Sequence, residues 1–263
     1  MPPDTGELAL QRRTRAHYEA YPFEFLTPGD EASIERMQPP PFIRFISRYA
    51  APGMSVAELG CGPGRGTMYL GQNCLDVTAL DLSRSSLELA RSRAPQARYV
   101  EASNLALPFP DASFDLVISD GVIHHTPDAY RSFCENVRVL KPGGYYYLGV
   151  YNRNRYYYYL YTFLGAPLRQ VEQFRLGQAA IYMTVFPVYY AAHLLKSRGK
   201  RTLRGARNFF YDYIMTPRAS FHGRDEIEGW ASRNRLDLVD YDPSLGNVHV
   251  FTLRKRLGNP GPL

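Results

Sequence analysis

Short apolar runs alternate with helical stretches between residues 55 and 151. The runs that predict strands lie at 55–59, 76–80, 97–101, 114–119 and 145–151. The stretches that predict helices lie between them, at 66–74, 83–93 and 128–140. Alternation of this kind, with short connections, predicts a parallel sheet that is covered by helices on both faces.

The alternation stops near residue 152 and resumes near residue 223. Residues 223–234 predict a helix, and residues 236–241 and 247–254 predict two strands joined by a turn that contains Pro243 and Gly246. Two strands in such close succession form a hairpin. We therefore expect an α/β fold with a mostly parallel seven-stranded sheet, an antiparallel C-terminal hairpin and a helical insertion after strand five.

The interrupting segment contains a long uncharged stretch. Residues 177–195 lack Asp, Glu, Lys and Arg over 19 residues, which is near the length of a membrane span. The strands at 236–254 must nevertheless pair with a sheet that is built before residue 152, and one crossing would separate them. Pro187 and three tyrosines also weaken the apolar pattern. Helices that form a cap are therefore the better prediction.

Charge is distributed unevenly along the chain. The formal net charge is +6, but residues 151–220 hold eleven Lys or Arg and only two acids, Glu172 and Asp212. That segment is therefore +9 and the remainder is −3. Such an asymmetry calls for a local explanation, and an anionic substrate, an anionic membrane surface or plain solvation would each supply one.

Other compositional signals are plain. The three cysteines contain no CxxC pair, and no cluster of metal-ligating residues is evident, so neither a disulfide framework nor a metal site is expected. The N-terminus lacks an apolar signal-peptide core, which favours a cytoplasmic location.

The strongest motif follows the first predicted strand directly. Glycines at positions 60, 62 and 64 let the backbone turn sharply and approach a ligand, and the next helix offers free N–H groups at its N-terminus. A dinucleotide fingerprint would need glycine at position 65, where this chain has Arg65. The pattern is instead acid-x-G-x-G-x-G, and it begins at Glu58.

A second signal lies at the end of the second predicted strand. Asp81 follows Gly64 by 17 residues, and a carboxylate there can accept both ribose hydroxyls of an adenosine. It would also repel a 2′-phosphate, which argues against NADP. The alternative role of capping the next helix suits Ser83 better.

The motif at 58–64 resembles the first motif of class I S-adenosylmethionine (SAM)-dependent methyltransferases. Residues 107–109 with 111–115, and Lys141-Pro142-Gly143-Gly144 before strand five, resemble further regions of that family. The resemblance covers residues 54–152 and the final hairpin. It implies a Rossmann-like fold, SAM as cofactor and transfer of its methyl group to a small-molecule acceptor.

The resemblance also assigns a cofactor site. The residues it implies for SAM binding are Tyr18, Glu58, Gly60, Gly62, Gly64, Asp81, Leu82, Ser103, Asn104, Leu105 and Ser119. The family usually has aspartate where this chain has Ser103. The contact to adenine is therefore left to Ser103, Asn104 or the backbone at Leu105.

Two histidines and the end of strand five are the candidates for chemistry. In the family, the loop that carries His124 and His125 lies beside the transferred methyl, so one of them is a candidate base, with His124 slightly favoured; structural packing is the alternative. Side chains that leave strand five at its C-terminal end are candidate acceptor contacts. The candidate acceptor contacts are Tyr21, Tyr151, Asn152, Arg153 and Arg155.

These expectations divide the chain into three parts. Residues 1–52 are a predicted helical lid, residues 53–152 with 223–257 the SAM-binding domain, and residues 153–222 a cap that chooses the acceptor. The basic cap favours an anionic acceptor. The alternatives are a non-catalytic SAM-binding protein, an enzyme that acts on a lipid at a membrane surface, a nucleic-acid methyltransferase and a dehydrogenase. The chain has no Asn/Asp-Pro-Pro-Tyr motif that would support action on nucleic acid. The acceptor atom and the oligomeric state stay open.

Overall fold

The fold is built on one twisted sheet of seven strands. A computed structural model describes residues 5–20, 30–73, 75–196 and 202–257. The strands are β1 (Ser55–Leu59), β2 (Asp76–Asp81), β3 (Arg98–Glu101), β4 (Phe114–Asp120), β5 (Leu140–Tyr151), β6 (Leu236–Leu245) and β7 (Val248–Lys255). Their spatial order is β3-β2-β1-β4-β5-β7-β6.

Strand direction divides the sheet as the sequence predicts. The five strands from β3 to β5 pair in parallel, whereas β7 pairs antiparallel with both β5 and β6. The prediction of a Rossmann-like, mostly parallel sheet that ends in an antiparallel hairpin is therefore confirmed. The strand order reverses between β1 and β4, and ligands of open α/β sheets bind in the crevice outside the strand ends at such a point.

Helices cover both faces of this sheet. They are α1 (Thr5–Ala20), α2 (Pro40–Tyr49), α3 (Arg65–Gln72), α4 (Arg84–Arg93), α5 (Ala129–Val139), α6 (Tyr156–Tyr159), α7 (Ala166–Val171), α8 (Arg175–Lys196), α9 (Leu203–Phe210) and α10 (Arg224–Arg233). Ser83 caps α4 by accepting the amide N–H of Ser86, as expected from the sequence. Asp128 caps α5 in the same way, through the N–H of Arg131.

Adjacent tyrosines on β5 show how the two faces are filled. Tyr146 and Tyr147 are both fully buried, and they point to opposite faces because side chains alternate along a strand. Tyr146 packs with Phe133 on one face, and Tyr147 packs with Phe42 and Phe45 of α2 on the other. The central strands are thereby buried on both faces.

The structure corrects two predicted turns. The Lys141–Gly144 segment lies within β5 instead of before it, where the pairing register with β4 shifts between Phe114 and Leu116. Gly143 absorbs this irregularity with a φ of +81°. The hairpin turn is shorter than expected, because β6 continues to Leu245 and only two residues separate it from β7.

The described part of the insertion is mostly helical. It comprises α6 to α9 together with two π-helical segments, Leu160–Gly165 and Tyr211–Met215. Phe186 of α8 packs on Phe210 of α9, at the centre of a small apolar cluster separate from the sheet core. No helix among the described residues is both long and apolar enough to cross a bilayer.

Candidate functional site

The glycine loop lies between β1 and α3, and Asp81 fixes its shape. The carboxylate of Asp81 accepts the backbone N–H of Gly62 and the N–H of Ser83, each at 2.8 Å. Gly62 has a φ of +51°, and a Cβ atom there would meet no protein atom within 4 Å. The open side of Gly62 faces the main cavity, so this loop leaves room for a ligand to approach the backbone.

Glu58 ends β1 beneath this loop and is almost fully buried. Its carboxylate accepts the hydroxyl of Thr67 at 2.6 Å, and burial raises the pKa of Glu58 to about 7. The side chain also lies against Gly66, where a Cβ atom would overlap with it. The first turn of α3 is thus packed directly on a buried acid that lines the cavity.

The cavity has a volume of about 540 Å³ and lies at the C-terminal ends of β1, β2, β4 and β5. Helix α1 and the π-helical segment Tyr211–Met215 contribute to its walls. The sequence-predicted site residues that line it are Tyr18, Glu58, Gly60, Gly62, Asp81, Leu82, Ser103, Asn104, Leu105, His125 and Tyr151. Residues from nine separate segments of the chain therefore converge on one cavity.

Several predicted residues do not line this cavity. They are Gly64, Ser119, His124, Asn152, Arg153 and Arg155. Gly64 instead allows close packing, because a Cβ atom there would lie 2.8 Å from the Cα of Ala90 in α4. Ser119 is fully buried inside the sheet, and its neighbour Asp120 takes the position at the cavity edge. Tyr21 lies outside the described residues.

The three side chains after β5 serve as structural ties. Asn152 accepts the N–H of Asn154 at 2.9 Å, Arg153 pairs with Glu226 of α10, and Arg155 donates to the carbonyl of Pro243 at 2.6 Å. Asn152, Arg153 and Arg155 do not line the cavity, and their contact with the acceptor stays a prediction. They fasten the start of the insertion to α10 and β6.

Asn104 has the least satisfied side chain at the cavity wall. It is 6% exposed, and neither its amide nitrogen nor its amide oxygen has a hydrogen-bond partner among the described residues. Ser103 beside it is already engaged, because its hydroxyl interacts with Gln11 of α1 and accepts the N–H of Leu105, each at 3.2 Å. A buried amide costs free energy unless it is paired, so Asn104 is arranged for a partner that the protein itself does not supply.

The two histidines after β4 have different surroundings. His124 is fully buried, stacks on the ring of Tyr151 at 3.8 Å between ring centres, and accepts the N–H of Tyr151 through Nδ1. Burial lowers its pKa well below the usual value. The structure thus gives His124 a packing position behind the cavity wall, whereas the sequence analysis slightly favoured it over His125 as the base.

His125 is the histidine that reaches the cavity. Its Nδ1 lies 2.7 Å from the backbone carbonyl oxygen of Arg218. A carbonyl oxygen can only accept, so Nδ1 carries the proton and Nε2 keeps its lone pair. Burial lowers the pKa of His125 to about 4, so the ring is neutral at pH 7. The ring of Tyr18 packs edge-on against the ring of His125, with 6.0 Å between the ring centres.

Asp212 is a cavity residue that the sequence analysis did not single out. It belongs to the π-helical segment Tyr211–Met215, is 7% exposed, and lines the cavity. No described residue forms an ion pair or hydrogen bond with its carboxyl group, and burial raises its pKa to about 8. Its position as one of two acids in a segment with eleven cations was the only available signal.

The insertion otherwise contributes aromatic surface. Phe209 and Tyr213 line the cavity beside Asp212, and Tyr151 packs against Tyr157 and Phe221. None of the Lys or Arg residues in the described part of the insertion lines the cavity. The basic character of the insertion therefore gives the cavity no cation, and the expected preference for an anionic acceptor is not supported.

Helix α1 is fastened over the cavity by polar contacts at both ends. Glu7 near its start pairs with Arg131 at 3.1 Å. Glu19 near its end accepts the N–H groups of Arg84 and Ser85 at the N-terminus of α4, where the helix dipole favours a negative charge. Tyr18 is thereby held in the cavity wall.

Comparison with known proteins agrees with this geometry. Residues 57–148 match a family model described as a methyltransferase domain. An uncharacterized methyltransferase of Synechocystis is 43% identical over 96 residues, which are 36% of this chain and 45% of the relative. A phthiotriol/phenolphthiotriol dimycocerosates methyltransferase of Mycobacterium tuberculosis is 36% identical over 126 residues, 46% of this chain and 47% of the relative. The chain thus matches less than half the length of these relatives.

A solved structure extends the likeness in fold to nearly the whole chain. The 1,6-didemethyltoxoflavin-N1-methyltransferase of Burkholderia thailandensis, solved with its substrate and S-adenosylhomocysteine, superposes with a TM-score of 0.58 at 17% identity. The alignment covers 97% of this chain and 93% of that one. At this identity the likeness concerns the fold alone.

Proposed function

We propose that this chain, which carries a class I SAM-dependent methyltransferase domain at residues 57–148, transfers the methyl group of SAM to an uncharged, largely apolar small molecule. The observation that carries the proposal is the cavity of about 540 Å³ that joins the glycine loop, Asp81 and Asn104 to an aromatic wall from the insertion. One end offers polar groups for a nucleoside, and the other offers aromatic surface.

The residues present fit the cofactor. The open side of Gly62 leaves space for a ligand, and the unpaired amide of Asn104 can exchange two hydrogen bonds with an adenine edge. We assign the adenine contact to Asn104, because Ser103 is already occupied by Gln11 and Leu105. Asp81 holds the loop and is the acceptor for ribose hydroxyls.

The acceptor class follows from the other end of the cavity. Phe209, Tyr213 and Tyr151 provide aromatic surface, and large apolar area with few polar groups is typical of sites for small organic molecules. Arg65 is the cation among the lining residues, and it already lies 3.8 Å from Asp120. An acceptor with a carboxylate or phosphate would therefore find no free positive charge there.

We assign proton removal to Asp212 and orientation of the acceptor to His125. When bound, SAM supplies an activated methyl group on a sulfonium centre, so the protein must position the acceptor and remove its proton. Nε2 of His125 keeps a lone pair that can accept a hydrogen bond from an acceptor O–H or N–H. Asp212 has a pKa of about 8, so its carboxylate is a stronger base than the imidazole of His125, whose pKa is about 4.

The insertion is proposed to choose the acceptor, since it contributes Phe209, Asp212 and Tyr213 to the cavity. Replacing residues 154–220 by a Gly/Ser linker should preserve SAM affinity and abolish methyl transfer. His125 would lose its partner Arg218 in that variant, so Asp212→Asn and Phe209→Ala are the finer tests. A truncated protein that keeps full turnover would exclude a role for the insertion in catalysis.

The decisive experiment measures S-adenosylhomocysteine production with two acceptor panels. One panel contains neutral phenols, amines and apolar alcohols, and the other contains the corresponding carboxylates or phosphates. Turnover with members of the neutral panel only is the expected result. Tight SAM binding with no turnover on either panel would favour the alternative, a SAM-binding protein without catalysis.

A further inference from the structure

The solvent-facing side of helix α8 is apolar along its whole length. Residues on this side recur every three or four positions, and they are all exposed: Leu176, Ala180, Met183, Pro187, Ala191 and Leu195. Met183 is 77% exposed and Leu195 is 82% exposed. The opposite side of the helix carries Ile181 and Phe186, which are buried against α9 and the segment Tyr211–Met215. Helix α8 thus presents a second apolar side that no described residue covers.

The start of the insertion also carries exposed aromatic residues. Tyr156, Tyr159 and Phe163 are each at least 60% exposed and follow one another at helical spacing. Phe174, just before α8, is 69% exposed. Among the described residues, twelve of the sixteen exposed large hydrophobic side chains lie between residues 156 and 203. Scattered apolar residues need no explanation, but a concentration of this kind marks an interaction surface.

The charged residues at the two ends of α8 are cations. Helix α8 begins at Arg175 and ends at Lys196, with no charged residue between them. Of the two acids in residues 151–220, Asp212 is buried in the cavity and Glu172 is half-buried. No acidic side chain is therefore exposed on the described insertion to oppose an anionic partner. Arg175, at the start of α8, is exposed and does not line the cavity, so it can meet that partner.

We propose that the insertion lies on an anionic lipid bilayer, with the apolar side of α8 and the exposed aromatic residues 156–174 in the interface and the cations against the headgroups. Surface helices that combine an apolar side with cations and interfacial aromatic residues bind membranes in this way. The inference does not depend on the proposed activity. If both hold, an apolar acceptor dissolved in the bilayer would approach the cavity from the side of the insertion, which contributes Phe209, Asp212 and Tyr213 to its wall.

A second copy of the chain is the less suitable occupant. A two-fold symmetric contact would place each patch against itself, so that the cationic segments of both copies would face each other. That arrangement brings like charges together around an apolar centre. An anionic bilayer satisfies the apolar side and the charges at once.

The test is co-sedimentation of the full chain with vesicles of phosphatidylcholine alone or with added phosphatidylglycerol. We expect affinity for the anionic vesicles to exceed that for neutral ones by about tenfold or more and to fall as salt is raised. The double variant Met183→Gln/Leu195→Gln should bind about tenfold more weakly, because its apolar insertion is lost. Arg175→Ala should lower affinity about fivefold.

The matched control is Val239→Gln/Leu257→Gln, which removes two exposed apolar side chains outside the insertion. It should bind vesicles like the unchanged protein. All variants should bind S-adenosylhomocysteine normally, since none of these residues lines the cavity. The proposal is overturned if the protein binds neither vesicle or if the double variant binds as well as the control. It is also overturned if light scattering shows a dimer that the double variant dissociates, because the second copy would then be the occupant.

Discussion

His125 and Arg218 join the loop after β4 to the end of the insertion. The Nδ1–H of His125 donates to the carbonyl oxygen of Arg218 at 2.7 Å, across 93 residues of sequence. Two residues later, Ser220 donates its N–H to the carbonyl of His124 at 2.8 Å. The insertion therefore fixes the tautomer of His125 as well as contributing cavity wall, and the pocket depends on both parts of the chain.

The glycine loop predicts a substitution that separates ligand binding from folding. Gly62→Ala should weaken S-adenosylhomocysteine binding by at least about tenfold, because the new Cβ enters space that is open in the protein. The positive φ adds a conformational cost of about 1–2 kcal/mol. Calorimetry would measure the affinity. Gly53→Ala is the control, since Gly53 also has a positive φ and open surroundings but lies outside the cavity; equal affinity losses in the two variants would place the ligand elsewhere.

Asp81 is predicted to act on the ligand and on the loop together. Asp81→Ala should weaken SAM binding by about 2–4 kcal/mol, because hydrogen bonds to a charged group contribute about 1.5–3 kcal/mol each. Asp81→Asn should lose less, since its amide oxygen can still accept the N–H of Gly62 or Ser83. NAD should not compete in either assay. Unchanged SAM affinity in the alanine variant would leave Asp81 with a structural role only.

Replacing Asn104 by an apolar residue should change protein stability and ligand binding in opposite directions. Asn104→Leu replaces an unpaired buried amide by an apolar side chain of similar size, so the ligand-free protein should melt at the same or a higher temperature. The increase in melting temperature on adding S-adenosylhomocysteine should shrink. Ser103→Ala, which removes a hydroxyl already bound inside the protein, should leave that increase nearly intact. If the Ser103→Ala variant lost more of this increase than the Asn104→Leu variant, Ser103 would be the residue that contacts adenine.

The pH dependence of turnover should identify the base. If Asp212 removes the proton, kcat/KM for the acceptor rises with pH up to about 8, because the carboxyl must ionise first. Asp212→Asn should remove this rise and most of the activity. If His125 were the base, the rise would occur near pH 4 and the profile would be flat at neutral pH. His125→Asn should then be the more damaging variant.

The raised pKa of Asp212 also predicts how the stability of the folded protein depends on pH. Its pKa is raised in the folded protein from 3.8 to about 8, so the folded state binds a proton that the unfolded state has lost over that interval. Its contribution to stability is present below pH 3.8 and is lost as the pH rises towards 8. The ligand-free Asp212→Asn variant should therefore gain stability over the unchanged protein between pH 5 and 8. Melting curves at several pH values check this, and a constant difference would contradict the buried, ionisable assignment.

The sequence by itself determined the sheet and the loop that the domain is built on. The strand at 55–59 was predicted with the observed bounds, and the strand–helix alternation gave the parallel direction, because a parallel pair needs a crossover while a hairpin does not. The glycines at 60, 62 and 64 were recognisable because backbone conformation at such a turn restricts the residue type directly. Asp81 followed from its place at the end of a strand.

Only the tertiary structure decided which side chains meet in the cavity. His124 and His125 are adjacent in sequence, yet one packs behind Tyr151 and the other faces the cavity, according to contacts made by residues more than twenty positions away. The burial of Asp212 likewise depends on how the insertion folds over the sheet. The cations of the insertion, which the sequence analysis linked to an anionic acceptor, do not line the cavity in the described part of the chain. Local periodicity fixes which residues form an element, whereas the direction in which a side chain points depends on partners that only the folded chain brings together.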